Sequence, residues 1–243
     1  MKVVAIIQAR TGASRLPGKV LKEVLGKPLL AYQLERVRNC SNIDQILVAT
    51  TKQKADDRIV SLCEEMDIYP YRGSESDVLG RYYEAANHMQ ADIIVRLTAD
   101  CPLIDPSQVD YVIQNYFPNQ HSLQYVSNTL KRTFPRGMDT EVFSFAALKE
   151  THVMAKSTVD REHVTRYMVN HPETFTLKNV TYHEDQSQHR WTVDTIEDFW
   201  LIKRIIETLY PKKPHFNLED ILHLFAQFPD WRFINSHIHQ KYE

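Results

Sequence analysis

Three uninterrupted apolar runs, KVVAIIQ (2–8), QILVATT (45–51) and DIIVRLT (92–98), constrain this chain more than any other feature. A strand with one face in water alternates apolar and polar residues, whereas a strand covered on both faces is apolar throughout. The runs therefore read as parallel core strands between two layers of helix. The intervening segments agree. PLLAYQLERVR (28–38) puts Pro28 at a first helical position and Leu30, Leu34 and Val37 on one face, and DDRIVSLCEEM (56–66) and VLGRYYEAANHM (78–89) keep the same period. Strand and helix in alternation imply a doubly wound α/β sheet.

After about residue 120 the order changes. LQYVSNT (123–129), TEVFSF (140–145), FTLKNVTY (175–182) and HRWTV (189–193) read as strands of undetermined direction, with helices near 146–156 and 160–170, so a mixed sheet is expected there. Helical patterns return at 195–209 and 217–228, joined by the breaker-rich YPKKPHF. There is no internal repeat, low-complexity tract or linker, and 243 residues with 43% apolar content suit one large domain. A formal charge of −2 argues against a partner as anionic as bulk nucleic acid or a membrane surface. Cys40, Cys63 and Cys101 are odd in number and lack a C-x-x-C pair, which fits a reducing cytoplasm. The apolar run Val3–Ile7 is too short for the core of a signal peptide, so a soluble cytoplasmic protein is expected.

The first strand runs into IIQARTGASRLPGKVL (6–21), a loop with two arginines, a lysine and two glycines. Loops beyond the carboxyl ends of parallel strands are where such sheets bind ligands. A Walker A loop is excluded, because Gly12 and Gly18 enclose five residues and Val20 follows Lys19. A dinucleotide fingerprint is excluded too, since the six glycines never fall in G-x-G-x-x-G spacing. What remains is a glycine turn carrying Arg10, Arg15 and Lys19, which is either a solvated basic loop or a cradle for a polyphosphate.

Two aspartates bear on that choice. RLTADCPLID (96–105) ends another apolar strand with Asp100, while Asp105 and Pro106 already supply the cap and first turn of the next helix. RWTVDTIEDF (190–199) repeats the arrangement with Asp194, whose alternative role is a helix N-cap paired with Glu197. Two carboxylates from distant strand ends facing a basic loop favour an oxygen-rich magnesium site.

QARTGASRLPGKVL, RLTADCPLIDP, NTLKRTFPRGMDTEVFS, REHVTRY and RWTVDTIEDF together resemble the spore coat polysaccharide biosynthesis protein SpsF family, which is related to the Kdo and N-acylneuraminate cytidylyltransferases. The resemblance covers nearly the whole chain. It implies a single-domain glycosyltransferase-A-like nucleotidyltransferase fold, with a mixed, mostly parallel sheet flanked by helices. Its nucleotide-binding half is about 1–120, its sugar-binding and second metal-ligand half about 121–210, and its C-terminal helix and tail 211–243. It also implies activation of a sugar with CTP to give a CMP-sugar and pyrophosphate. Carried over by motif, Ala9, Arg10, Thr11, Gly12, Ser14, Arg15 and Lys19 meet the nucleotide, with Arg10 and Lys19 also catalytic. Arg72 and Thr98 lie where related enzymes read the base, and Asp100 and Asp194 are the implied Mg2+ ligands. Arg136, Asp139, Glu141, Arg161 and His163 border the implied sugar pocket.

The implied partners are CTP and a sugar, with no nucleic acid or membrane, and a homodimer is left open. Arg136 and Arg161 favour a 2-keto sugar acid as acceptor, although Arg136 can pack in its own turn, Arg161 can pair with Asp160 or Glu162, and Asp139 and Glu141 suit a neutral sugar. His163 is either a sugar-pocket residue or an ordinary core or surface histidine. The HIH at 237–239 has no accompanying ligand cluster that would make a zinc site. A glycosyltransferase of the same fold normally carries D-x-D at its metal strand, and none occurs here. A noncatalytic nucleotide-binding protein is disfavoured because both aspartates and Lys19 are retained.

Overall fold

The computed structural model describes residues 1–119 and 122–239. The chain runs through β1 (Val3–Gln8), a short hairpin of β2 (Glu23–Val24) and β3 (Lys27–Pro28), α1 (Leu29–Val37), β4 (Gln45–Thr51) and α2 (Asp57–Glu65). It continues with β5 (Tyr69–Gly73), α3 (Val78–His88), β6 (Ile93–Thr98) and α4 (Pro106–Tyr116). The second half supplies β7 (Tyr125–Ser127), β8 (Glu141–Ser144), α5 (Phe145–Met154), α6 (Thr158–Glu162), α7 (Arg166–Asn170), β9 (Leu177–Asn179), α8 (Ile196–Leu209) and α9 (Leu218–Gln227).

Seven strands form one sheet in the order β5-β4-β1-β6-β8-β7-β9. β5, β4, β1 and β6 are mutually parallel, β8 is antiparallel to both β6 and β7, and β9 is parallel to β7. β8 is thus the one reversed strand among the described residues of this sheet. The result is a mixed, mostly parallel sheet flanked by helices on both faces.

The apolar runs are explained by the two cores they separate. Val3, Ala5 and Ile7 of β1 pack with α1, α2, α4, α8 and α9, while Val4 and Ile6 pack on the other face with α3, α5 and α7. Side chains alternate across a strand, so both faces must be apolar. Register sets the carboxyl ends of these strands level: Gln8 pairs with Ala49 on one side and Thr98 on the other. The ladder continues through Ala9 N–H to the Ala49 carbonyl at 3.1 Å and Ala99 N–H to the Gln8 carbonyl at 3.0 Å. The loops after β1 and β6 consequently leave the sheet side by side.

Three local expectations are corrected. Residues 189–193 form no strand of the sheet; their one β-bridge, Arg190 with Arg136, joins them to the segment before β8, and Trp191 there packs against Gly137. The single helix expected at 160–170 is broken into α6 and α7 by Val164, whose φ of 53° lies in the left-handed region. Tyr69–Gly73 forms the edge strand β5, which a proline and half-exposed side chains had disguised. Among the described residues, no helix is long and apolar enough to cross a membrane.

Candidate active site

A cleft of about 500 Å³ opens where the loops after β1 and β6 meet segments 129–141 and 192–194. The first loop is shaped by its own hydrogen bonds. The Thr11 carbonyl accepts from Ala13 N–H at 2.9 Å and Gly18 N–H at 2.8 Å, and Gly18 adopts φ 68°, which favours glycine. The buried carboxylate of Asp56 anchors the start of the loop, accepting from both the backbone N–H and the hydroxyl of Thr11 at 2.7 Å.

The cations of this loop meet carboxylates. Arg10 lies 3.6 Å from Glu75, Arg15 lies 2.9 Å from Asp194, and Lys19 Nζ sits between Asp100 at 3.0 Å and Asp194 at 2.7 Å. Burial lowers the Lys19 pKa, but the two carboxylates outweigh it and raise the group above the ordinary 10.5. Burial pushes the Asp194 carboxyl up, yet Lys19, Arg190 and Arg15 outweigh it and hold the group below the ordinary 3.8.

Asp100 and Asp194 are brought together by backbone. Arg136 N–H donates to the His189 carbonyl at 3.0 Å, Trp191 N–H to the Arg136 carbonyl at 2.7 Å, and Val193 N–H to the Asp100 carbonyl at 2.8 Å. Trp191 is fully buried, so this segment cannot slide. The helix-cap role left open for Asp194 falls instead to Thr195, which forms a capping box with Asp198 rather than Glu197, leaving the Asp194 side chain to the cleft. Asp105 does cap α4, with Pro106 in its first turn.

Of the residues singled out by sequence, Ala9, Arg10, Ser14, Arg15, Lys19, Thr98, Asp100, Arg136, Asp139, Glu141, His163 and Asp194 line the cleft. Thr98 donates its hydroxyl to Asp100 Oδ1 at 2.6 Å, so here it orients a carboxylate. Thr11 and Gly12 shape the loop from outside the lining. Arg72 lies outside as well, on the edge strand, where it clamps the turn after β4 through the carbonyls of Thr51 and Gln53 and the carboxylate of Asp57. Arg161 also lies outside. It pairs with Asp77 through Nε at 2.9 Å and Nη2 at 2.7 Å, tying α6 to the cap of α3, and neither Asp160 nor Glu162 is its carboxylate partner here.

Several cleft residues had escaped notice. Arg132 makes a bidentate pair with Asp139, at 2.5 and 2.8 Å, and Arg96 pairs with Glu141. Glu141 also accepts from the hydroxyls of Tyr125 at 2.5 Å and Thr165 at 2.6 Å. Burial lowers the Arg132 pKa but Asp139 more than offsets this, and the group stays firmly charged. A charged residue inside the run IIVRLT was the available signal for Arg96, since an arginine in a two-sided core strand needs a partner.

The donor set suits a hard divalent cation. Asp100 and Asp194 each bring a carboxylate oxygen to within 3.0 Å of one ammonium group, which already stands as a cation between them. Among the described residues there is no cluster of three or more His, Cys, Asp or Glu side chains able to cage a metal. Magnesium is commonly held by one or two carboxylates, with phosphate and water completing the shell, so the pair fits that pattern.

Residues 4–224 match the cytidylyltransferase family. The spore coat polysaccharide biosynthesis protein SpsF of Bacillus subtilis (strain 168) is 31% identical over 94% of this chain and 95% of its own length. Among solved structures, a cytidylyltransferase from Leptospira borgpetersenii serovar Hardjo-bovis superposes with a TM-score of 0.92 at 32% identity, covering 100% of both chains. A CMP-2-keto-3-deoxy-manno-octonic acid synthetase complexed with CTP shares the fold, with a TM-score of 0.66 at 17% identity over 86% of this chain and 99% of the other. With a family match spanning most of its length and relatives alignable nearly end to end, the chain belongs to the cytidylyltransferase family.

Proposed function

We propose that this protein transfers a cytidylyl group from CTP to a sugar hydroxyl, releasing pyrophosphate and a proton. The observation that carries the reading is the triad of Lys19, Asp100 and Asp194, a cation site placed where the glycine turn after β1 meets the cleft. Asp100 and Asp194 are the residues that would hold Mg2+, which when bound neutralises phosphate charge and aligns the triphosphate.

The chain's own groups divide the remaining work. Attack on the α-phosphorus places negative charge on the nonbridging oxygens and on the departing pyrophosphate, so positioned cations lower the barrier without any covalent intermediate. Arg10, Arg15 and Lys19 supply those cations, and the Ser14 hydroxyl and the backbone around Ala9 supply neutral contacts to the nucleotide. Lys19, once released from its two carboxylates, faces the leaving group.

For the acceptor, a 2-keto sugar acid is the proposed class. Of the two arginines expected to meet its carboxylate, Arg136 lines the cleft and Arg161 is engaged elsewhere, so the assignment rests on Arg136. Asp139, His163 and Glu141 complete the sugar wall. The test is pyrophosphate release from CTP with a panel of 2-keto sugar acids, neutral sugars and sugar phosphates. Release with acid sugars is expected. Release only with uncharged sugars removes the acid assignment, and no release with any acceptor despite CTP binding removes nucleotidyl transfer.

A further inference from the structure

Asp194 is held from behind by a buried polar unit. Asp198 is fully buried, and its carboxylate accepts from Arg190 Nε at 2.9 Å and Nη2 at 3.1 Å, from the backbone N–H groups of Asp194 and Thr195 at 3.0 Å each, and from Asn235 Nδ2 at 2.8 Å. Arg190 Nη2 also donates to Asp194 Oδ2 at 2.7 Å, and Asn235 Nδ2 to the Arg190 carbonyl at 2.9 Å. A capping box needs only Thr195 and Asp198. Arg190 and Asn235 are surplus to it, and a buried guanidinium–carboxylate pair gains little stability over apolar packing of the same volume.

The surplus acts on geometry. Asp194 Oδ2 is occupied by Arg190 and Arg15, which leaves Oδ1 as the oxygen that meets Lys19. We propose that Arg190, Asp198 and Asn235 form a positioning unit that fixes the Asp194 carboxylate with Oδ1 toward the cleft, and that Asn235 makes this orientation depend on the docked C-terminal segment. The inference rests on the reading of Asp194 as a cation ligand in nucleotidyl transfer. Mutating a partner that orients a metal-binding ligand typically costs about 10–100-fold in metal affinity or activity.

The experiment uses the full chain and its Asn235→Ala, Arg190→Lys and Arg190→Met variants, each saturated with a nonhydrolysable CTP analogue and titrated with Mn2+ by electron paramagnetic resonance. Asn235→Ala and Arg190→Met are expected to weaken Mn2+ binding by about 10-fold or more. Arg190→Lys should recover part of the loss, and analogue binding without metal should stay close to that of the parent. If Arg190→Met does not fold, the other two variants carry the test. Unchanged Mn2+ affinity in both Asn235→Ala and Arg190→Lys overturns the proposal. If the parent itself binds no Mn2+ with the analogue, the functional reading fails. The positioning claim then stands or falls on a crystal structure of Asn235→Ala, in which a rotated Asp194 carboxylate supports it and an unmoved one overturns it.

Discussion

Val193 donates its backbone N–H to the carbonyl of Asp100 at 2.8 Å, joining two turns that come from opposite halves of the chain. Each turn carries one of the two carboxylates that flank Lys19 on an adjacent or identical residue. The spacing of Asp100 and Asp194 is therefore set by main chain, and side-chain substitutions there change charge while leaving the scaffold in place.

Asp100→Asn and Asp194→Asn should each lower turnover by at least about 10²-fold, the scale seen when one electrostatic contact to a transition state is removed. Their stabilities should differ. The Asp194 side chain is 14% exposed against 24% for Asp100 and also neutralises Arg15 and Arg190. Its loss should cost about 1–3 kcal/mol, under the usual figure for breaking a buried pair because Arg190 keeps Asp198. Thermal melts by circular dichroism read the difference, and equal Tm values would contradict it.

Lys19→Ala should reduce turnover by more than it weakens binding of CMP, since the proposed partner of Lys19 is the pyrophosphate portion of CTP. Titration calorimetry with CMP and with a nonhydrolysable CTP analogue makes the comparison. Equal losses for the two ligands would place Lys19 elsewhere in the bound state.

Arg136→Ala and Arg161→Ala should separate substrate contact from architecture. Arg136→Ala is expected to raise KM for the acid sugar by 10-fold or more, as loss of a charged hydrogen bond worth about 1.5–3 kcal/mol implies. Arg161→Ala should leave KM alone and lower stability by about 1 kcal/mol, a small figure because the Asp77 partner is substantially solvated. A sugar KM that moved only with Arg161 would reverse the assignment.

Gly137 has φ 104°, and a Cβ there would stand 2.7 Å from the carbonyl carbon and oxygen of Trp191. Gly137→Ala should therefore cost about 1–3 kcal/mol through strain and overpacking. It should also lower turnover by displacing the segment that carries Asp194. Denaturant midpoints and rates measured on one preparation test both effects.

The acid limb of stability should report Asp56. Burial raises its pKa, but hydrogen bonds from Thr51 and Thr11 outweigh that and hold it below the ordinary 3.8. A depressed carboxyl pKa contributes stability that is fully present above the unfolded value and is lost as pH falls through the folded one. The stability gap between the parent and Asp56→Asn should thus be constant above about pH 5 and narrow as pH drops below about 4. Urea titrations across that range measure it, and a gap that widened on acidification would exclude the assignment.

The sequence made the central sheet legible because β1, β4 and β6 are buried on both faces and so read as near-continuous apolar runs, broken within a strand only by Arg96. β5 was missed because Pro70 and its partly exposed neighbours erase that signal at an edge. In the site, Asp100, Asp194 and Lys19 could be found because each follows a break in an apolar pattern. Arg132 and Arg190 could not, since nothing local distinguishes an arginine in solvent from one whose carboxylate partner arrives through the fold. Arg161 shows the converse: its motif placed it at the sugar, whereas its Asp77 partner lies 84 residues away in sequence.

The reversal of β8 has a consequence for how this cleft is divided. Arg96, near the carboxyl end of β6, pairs in register with Glu141 at the amino end of β8. The residues leading into β8, including Arg132, Arg136 and Asp139, are therefore delivered to the rim that carries the glycine turn. A parallel strand in that slot would have left them on the far rim. One change of direction thus gives the cleft a second wall without a second domain, and on the proposed function the stretch between β7 and β8 is free to vary its side chains for a different acceptor without altering the loops after β1 and β6, to which the nucleotide is assigned.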